Sequence, residues 1–304
     1  MPHTNELVLL PNHGWDERIL ICRNGELVQT FIVVTQRYVV LVDTGINPAT
    51  AQQMVDYARP ALDARRVLLV INTHADYDHA WGNQLFADPD APFPAPILGS
   101  RRCADRLRMR EEGPLLEELQ RTEPTIFGHV RLTPPTLWFD DEVCIDGGDL
   151  TLHLIPTPGH TDDHLSIYIP EIATLLAGDA AELPYPAART TAGLPAMRAS
   201  LATLAALNAR TVLYCHAPVD AGPQLLHDNL AYFNALERAC RAFLEKSPGA
   251  ELPTDDAALI RLIGCDYADV TPHSSLWREV NAHYRTTGHA EQLRMMITWL
   301  QAQD

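Results

Sequence analysis

The sequence predicts an α/β protein that ends in a run of helices. Short apolar, β-branched runs typical of strands recur through the first 220 residues, helix-like stretches lie between them, and the pattern turns helical from residue 223. The composition of the 304 residues agrees, because 46% are hydrophobic and 20% charged, as in ordinary globular proteins. We therefore expect one domain over residues 1–222, with residues 223–304 as a helical extension packed on it.

The first predicted elements are a hairpin and a helix. Leu27–Val34 and Tyr38–Val42 are apolar runs separated by three residues, which is typical of antiparallel strands. Asp43-Thr44-Gly45 closes the second strand, and Pro48–Ala58 has helical content with proline in its first turn. Arg66–Asn72 is a short continuous apolar run, which indicates a strand buried on both faces.

Later elements alternate in the same way. The remaining predicted strands are Thr133–Phe139, Glu142–Ile145, Leu150–Ile155, Leu165–Ile169, Ala173–Leu176 and Thr211–Cys215. The remaining predicted helices are Trp81–Phe86, Arg101–Arg121, Pro195–Leu207, Gln224–Lys246, Asp255–Leu262, Ser274–Arg285 and Ala290–Gln301.

Histidine and carboxylate residues follow the strand Arg66–Asn72 directly. They are His74, Asp76, Asp78 and His79. Ligands of α/β folds bind at the carboxyl ends of strands, and imidazole and carboxylate suit zinc, iron or manganese. A single aspartate here would indicate a helix cap and a single histidine a packing residue. Four such residues within six positions favour a metal site instead.

Three more candidate ligands occur just past the end of a predicted strand. His160 lies in the turn Pro158-Gly159-His160-Thr161, Asp179 follows Gly178, and His216 follows Thr211–Cys215. Each is weak evidence alone, and their shared position makes them candidates for the same site. Cys215 should point away from His216 in an extended chain, so we do not predict it as a ligand.

This ordered set, together with the Asp43-Thr44-Gly45 turn, resembles the metallo-β-lactamase-fold superfamily over residues 20–220. The resemblance implies a four-layer αββα sandwich with two divalent metal ions at one end of the sheets. It implies that His74 and His160 bind the first metal and that Asp179 bridges both. It assigns the second metal to Asp78, His79 and His216.

One residue departs from the superfamily motif. The usual pattern is HxHxDH, and this chain has HxDxDH with Asp76 at the second position. Asp76 is a candidate ligand of the first metal, although its side chain is shorter than that of histidine. An added carboxylate weakens the Lewis acid and favours iron or manganese over zinc. Two branches resemble this pattern, the flavodiiron reductases and a diiron hydroxylase group, but residues 223–304 show no flavodoxin-like phosphate loop.

Three functions stay open at this point. The leading hypothesis is a hydrolase with two divalent metals, zinc first and iron or manganese as alternatives. In it a metal-bridging hydroxide attacks an ester, thioester, lactone or amide, and Asp78 or bound water moves the proton. The second is a non-heme diiron oxidoreductase, motivated by Asp76. The third is a non-catalytic metal-binding module, which the nearly complete ligand set disfavours.

Charge and composition restrict the partners. The formal net charge of −16 argues against nucleic acid, which needs a basic surface. No apolar run of about 18 residues predicts a membrane span. The six cysteines are scattered, as is typical of reduced thiols in a cytoplasmic protein. We expect a small-molecule substrate, and a homodimer formed through the C-terminal helices stays open.

Overall fold

A computed structural model describes residues 3–303 of the chain. The strands are β1 (Val8–Leu9), β2 (Ile19–Asn24), β3 (Val28–Val34), β4 (Tyr38–Val42), β5 (Val67–Ile71), β6 (Ile97–Ser100), β7 (Leu137–Phe139), β8 (Val143–Asp146), β9 (Thr151–Pro156), β10 (Leu165–Ile169), β11 (Thr174–Gly178) and β12 (Thr211–Tyr214). The helices are α1 (Pro48–Ala58), α2 (Tyr77–Ala80), α3 (Arg101–Arg108), α4 (Gly113–Thr122), α5 (Pro124–Phe127), α6 (Gly193–Ala206), α7 (Gln224–Lys246), α8 (Asp256–Ile263), α9 (Tyr267–Val270), α10 (Ser275–Arg278), α11 (Ala282–Arg285) and α12 (Thr287–Gln301).

Two sheets form the centre of the fold. Within residues 3–303, the first sheet has the order β1-β2-β3-β4-β5-β6-β7 and the second has the order β12-β11-β10-β9-β8. In the first sheet, β1 to β4 are antiparallel, and β4 to β7 are parallel. Since parallel strands end at the same edge, the segments that follow β4 and β5 lie side by side there.

The two sheets pack face to face. Alternate residues of β3 and β4, such as Phe31, Val40 and Val42, meet Leu154 and Ile167 of the second sheet in one buried cluster. The opposite face of the first sheet packs against α1, whose apolar side includes buried residues at helical spacing. Alternation along β3 and β4 therefore buries both faces of the sheet at its centre, which accounts for the nearly continuous apolar sequence of these strands.

The chain divides into two compact units. Among the described residues, the first comprises 3–156, 163–178 and 213–220, and the second comprises 157–162, 179–212 and 221–303. The second unit is mainly helical, and α7 packs on both α6 and α12 within it. Its interior includes a stacked pair of tyrosines, Tyr185 and Tyr232, with ring centroids 4.4 Å apart.

Most predicted elements are present, and the α/β class with C-terminal helices is confirmed. The hairpin β3–β4 and the helices α1 and α7 occur where the sequence predicts them. The predicted helix Ser274–Arg285 is broken into α10 and α11, and Arg101–Arg121 into α3 and α4. In the part of the chain that the structure describes, no helix has the length and apolarity needed to cross a membrane.

Candidate metal centre

Asp43 organises the edge at which β4 and β5 end. Its backbone N–H donates to the carbonyl of Ile71 (2.7 Å), which continues the β4–β5 pairing by one residue. Its carboxylate accepts the Thr73 N–H (2.7 Å) and the Thr73 hydroxyl (2.8 Å). Asp43 is fully buried at φ 67°, a left-handed conformation that costs about 1–3 kcal/mol and persists only where the surroundings hold it. These hydrogen bonds hold the start of the predicted ligand segment against β4.

A close backbone approach brings α2 against the turn after β4. The Thr44 N–H donates to the His79 carbonyl (2.7 Å), and Gly45 bridges to Ala80. A Cβ on Gly82 would lie 2.4 Å from the Thr44 carbonyl oxygen, so only glycine fits there. The segment with Asp78 and His79 is thereby held against a fixed turn.

Asp78, His79 and His216 come together in the first unit. Their candidate ligand atoms all lie within 4.8 Å of one another. The Nε2 atom of His216 is 3.4 Å from Asp78 Oδ2, and that of His79 is 3.8 Å from Asp78 Oδ1. The three residues predicted to share the second metal are therefore neighbours in space.

His74 and Asp76 form an adjacent pair in the same unit. The Nε2 atom of His74 lies 3.4 Å from Asp76 Oδ2, and the rings of His74 and His79 are 4.1 Å apart. Asp76 precedes α2, but its side chain makes no hydrogen bond that caps the helix. Asp76 therefore occupies the N-cap position of α2 without capping the helix through its side chain.

His160 and Asp179 form a pair inside the second unit, with 3.7 Å between Nε2 and Oδ2. His160 follows Gly159 at φ 151°, where a Cβ would lie 2.4 Å from the Cα of Met197 on α6. Asn229 of α7 holds the loop that follows Asp179, because its amide donates to the carbonyls of Glu182 and Pro184. Packing of α6 and α7 thus positions both residues.

The four histidines share one arrangement of their ring nitrogens. The Nδ1 atom contacts Thr73 Oγ1 in His74 (3.0 Å), Asp43 in His79 (2.8 Å), the Ala187 carbonyl in His160 (3.1 Å) and the Leu27 carbonyl in His216 (2.7 Å). Carboxylates and carbonyls only accept, and the Thr73 hydroxyl donates to Asp43, so each Nδ1 carries the proton. Each Nε2 then presents its lone pair, the usual arrangement of a metal-binding histidine.

The spacing of these nitrogens and their carboxylate neighbours suits a metal ion. Hydrogen bonds between N–H and O are usually about 2.7–3.2 Å long. The Nε2-to-carboxylate distances here run from 3.4 to 3.8 Å. Two ligands at about 2.0–2.1 Å from zinc and at a tetrahedral angle lie about 3.3–3.4 Å apart. The donor types and their separations therefore fit divalent metal binding.

Comparison with known proteins identifies the family. The sequence profile of the metallo-beta-lactamase superfamily matches residues 23–216, more than half of the chain. The chain belongs to the metallo-beta-lactamase superfamily. The resemblance seen in the sequence is thus confirmed, and it supports metal-dependent hydrolysis as the general class of function, because superfamily members are mostly metal-dependent hydrolases.

Solved structures of the same superfamily share the fold at low sequence identity. A family protein from Thermus thermophilus is 19% identical with a TM-score of 0.60, over 98% of this chain and 93% of that one. A metallo-beta-lactamase from Pontibacter korlensis is 19% identical with a TM-score of 0.56, over 75% and 99% of the two chains. The DIM-1 metallo-beta-lactamase is 15% identical with a TM-score of 0.58, over 77% and 99%.

The metallo-beta-lactamase motif has neighbours that the sequence did not predict. Asp163 and Arg106 contact the segment around Asp76, and the ring of His164 lies 5.1 Å from that of His74. Asp163 and His164 follow His160 within the same turn, which is the only signal the sequence carries for them. Arg106 is one of several arginines on α3 and stands out only in the folded chain.

Cys215 lies in the buried core rather than pointing into solvent. Its sulfur is within 4.8 Å of ligand-type atoms of Asp43 and His79. The Asp43 carboxylate is already committed to Thr73 and His79 by three hydrogen bonds. We therefore treat this group as a hydrogen-bonded support beneath His79 and keep Cys215 outside the ligand set.

Proposed function

We propose that the chain is a dinuclear metal-dependent hydrolase that cleaves an ester, thioester, lactone or amide bond in a small molecule. The observation that carries this proposal is the arrangement of four histidines, each with Nδ1 anchored by the protein and Nε2 beside a carboxylate. Membership of a mostly hydrolytic superfamily supports the same reaction class. When bound, two divalent ions would activate water and polarise a carbonyl group.

We assign the ligands as the family resemblance implies. His74, Asp76 and His160 would hold the first metal, Asp78, His79 and His216 the second, and Asp179 would bridge them. Within each unit, the distances between neighbouring donors support these assignments. In this proposal Asp78, whose two oxygens lie beside His79 and His216, also takes up and returns the reaction proton.

We propose zinc as the metal, with iron or manganese as the alternatives. The case for iron depends on the extra negative charge of Asp76. The guanidinium of Arg106 donates to Asp76 at 3.0 Å, and its positive charge offsets part of the charge of that carboxylate. Imidazole donors at near-tetrahedral spacing also suit zinc. The diiron oxidoreductase is therefore the weaker proposal, and iron with an oxygen-sensitive absorbance in protein purified without added metal would favour it.

The proposal is tested by metal content and turnover together. Protein with two zinc ions per chain is assayed against lactones, thioesters, phosphoesters and β-lactams. We expect turnover of at least one carbonyl substrate, and a loss of about 100-fold or more in Asp179→Ala, which removes the bridging carboxylate. Asp56→Asn, which changes a half-exposed side chain on α1, serves as the control. Absence of turnover in fully metallated protein across the panel would refute the proposal.

A further inference from the structure

One guanidinium is shared by two buried carboxylates next to the candidate metal centre. Arg106 projects from α3 with only 11% of its side chain exposed. It donates to Asp76 Oδ1 at 3.0 Å and to Asp163 Oδ1 at 2.5 Å, and these carboxylates are at most 1% exposed. Glu112 accepts from the same guanidinium at 3.3 Å. An exposed arginine usually forms weak, exchangeable ion pairs, whereas Arg106 is buried together with its carboxylate partners.

The two oxygens of Asp76 face different partners. Oδ1 accepts from Arg106, and Oδ2 lies 3.4 Å from the Nε2 atom of His74. We infer that Arg106 is a positioning residue of the metal centre, which holds Asp76 so that Oδ2 stays beside His74 Nε2, where these two residues would hold the first metal. This inference rests on the proposed function and adds a residue that the superfamily motif does not contain.

Asp163 extends the same support to the backbone. Its Oδ2 accepts the N–H of Ala75, the residue between His74 and Asp76, at 2.8 Å. The Ser100 hydroxyl donates to the Asp163 carbonyl (2.8 Å) and accepts from the Cys103 N–H, which caps α3. The helix that carries Arg106 and the peptide that carries Asp76 are thus tied to one residue, so the guanidinium has a fixed place.

Charge explains why an arginine suits this place. Histidine at position 76 would bind a metal as a neutral ligand, whereas aspartate brings a negative charge into the interior. The guanidinium of Arg106 places a positive charge beside Asp76 and so offsets part of that added negative charge, although Asp163 and Glu112 share it. The guanidinium of arginine stays charged in proteins, so it can pair with buried carboxylates. Its planar fork also reaches two carboxylates at once, which the single ammonium of lysine does less well.

The inference is tested by metal binding, not by turnover. Arg106→Met, Arg106→Lys and the control Arg108→Met, on the same helix, are compared with the unchanged chain. Zn²⁺ affinity is measured by competition with a chromogenic chelator, and site geometry from the visible spectrum after loading with Co²⁺. We expect Arg106→Met to weaken one of two sites about 10–100-fold and to alter the Co²⁺ bands of that site. Arg106→Lys should recover part of the loss, and Arg108→Met should match the unchanged chain.

A second comparison separates positioning from folding. In an Asp76→His background, the imidazole binds the metal without help from the guanidinium, so Arg106→Met should cost less than about threefold in affinity there. An equal loss in both backgrounds, or no loss in the original one, would overturn the inference. If Arg106→Met fails to fold, the Zn²⁺ affinity of Arg106→Lys is compared in the same two backgrounds. A larger loss in the original background than in Asp76→His then supports the inference, and an equal loss overturns it. A folded, unchanged chain that binds no Zn²⁺ would instead overturn the proposed function.

Discussion

Replacing Asp43 with asparagine tests whether the hydrogen bonds around His79 determine metal binding. The side chain of asparagine has the same shape as that of aspartate and tolerates φ 67°, so the backbone need not change. Asp43 accepts three hydrogen bonds, from the Thr73 N–H, the Thr73 hydroxyl and His79 Nδ1. An amide has only one oxygen to receive them, and its NH₂ group must face one side of this set.

The hydrogen-bond partners of Asp43 favour one orientation of the new amide group. The Thr73 N–H is a backbone donor that cannot change, so the amide oxygen should stay with it. The NH₂ group then faces the Thr73 hydroxyl, which can rotate, and His79 Nδ1, which must become an acceptor. His79 does so by moving its proton to Nε2, the atom that would bind the metal. We expect the free energy of unfolding of the metal-free protein to fall by about 1.5–3 kcal/mol, because one hydrogen bond to a charged carboxylate is lost.

The larger effect should appear in metal affinity. Loss of a partner that orients a metal-binding histidine typically weakens metal binding about 10–100-fold. Chelator competition measures this for Zn²⁺, and urea unfolding of the metal-free protein measures stability. Asp56→Asn, which removes a half-exposed ion pair with Arg59, should change stability by less than about 0.5 kcal/mol and leave affinity unaltered. Wild-type affinity in Asp43→Asn would show that the Nδ1 contacts do not set metal binding.

Two other predictions concern each unit separately. Gly82→Ala should destabilise the metal-free protein by about 1–3 kcal/mol in urea unfolding, because the new Cβ would clash with the Thr44 carbonyl. The control Gly113→Ala, at a position with room for a methyl group, should leave stability unchanged. If Gly82→Ala is as stable as the unchanged chain, the clash is contradicted. Burial lowers the pKa of His289 below its ordinary value of 6.5, and its neutral Nδ1 accepts from the Tyr232 hydroxyl. The folded state therefore binds fewer protons than the unfolded state, so the free energy of unfolding falls as the pH drops through about 6.5. Thermal unfolding at pH 5.5 and 7.5 should show a smaller fall for His289→Gln, and an unchanged fall would count against this linkage.

The sequence predicted those parts of the structure that local patterns encode. The apolar runs predict the core strands, and the cluster between His74 and His79 predicts a metal site because four ligand-type residues fall within six positions. The strand β2 was not predicted, because its apolar run, Ile19–Cys22, has only four residues and ends at the polar residues Arg23 and Asn24. Short strands such as β6, between a proline-rich loop and a charged helix, carry too little periodicity to detect.

The supporting contacts could not be predicted, because they join residues far apart in sequence. Arg106 is 57 positions from Asp163, and no local pattern distinguishes it from Arg101 or Arg108 on the same helix. The charge around Asp76 could not be predicted for the same reason. The motif shows the added carboxylate, but only the fold brings the guanidinium of Arg106 next to it. Position 76 alone therefore cannot decide between zinc and iron.

The anchoring of every Nδ1 atom also bears on how such a protein would obtain its metal. Three of the anchors are a carboxylate of the β4 turn and two main-chain carbonyls, groups whose places are determined by the fold itself. Imidazoles aligned in this way need no cation to order them, so we expect the folded chain to bind and exchange metal ions without unfolding. The metal found in a given preparation would accordingly depend on the cations that the folded protein last met, and not only on those present when the chain was made.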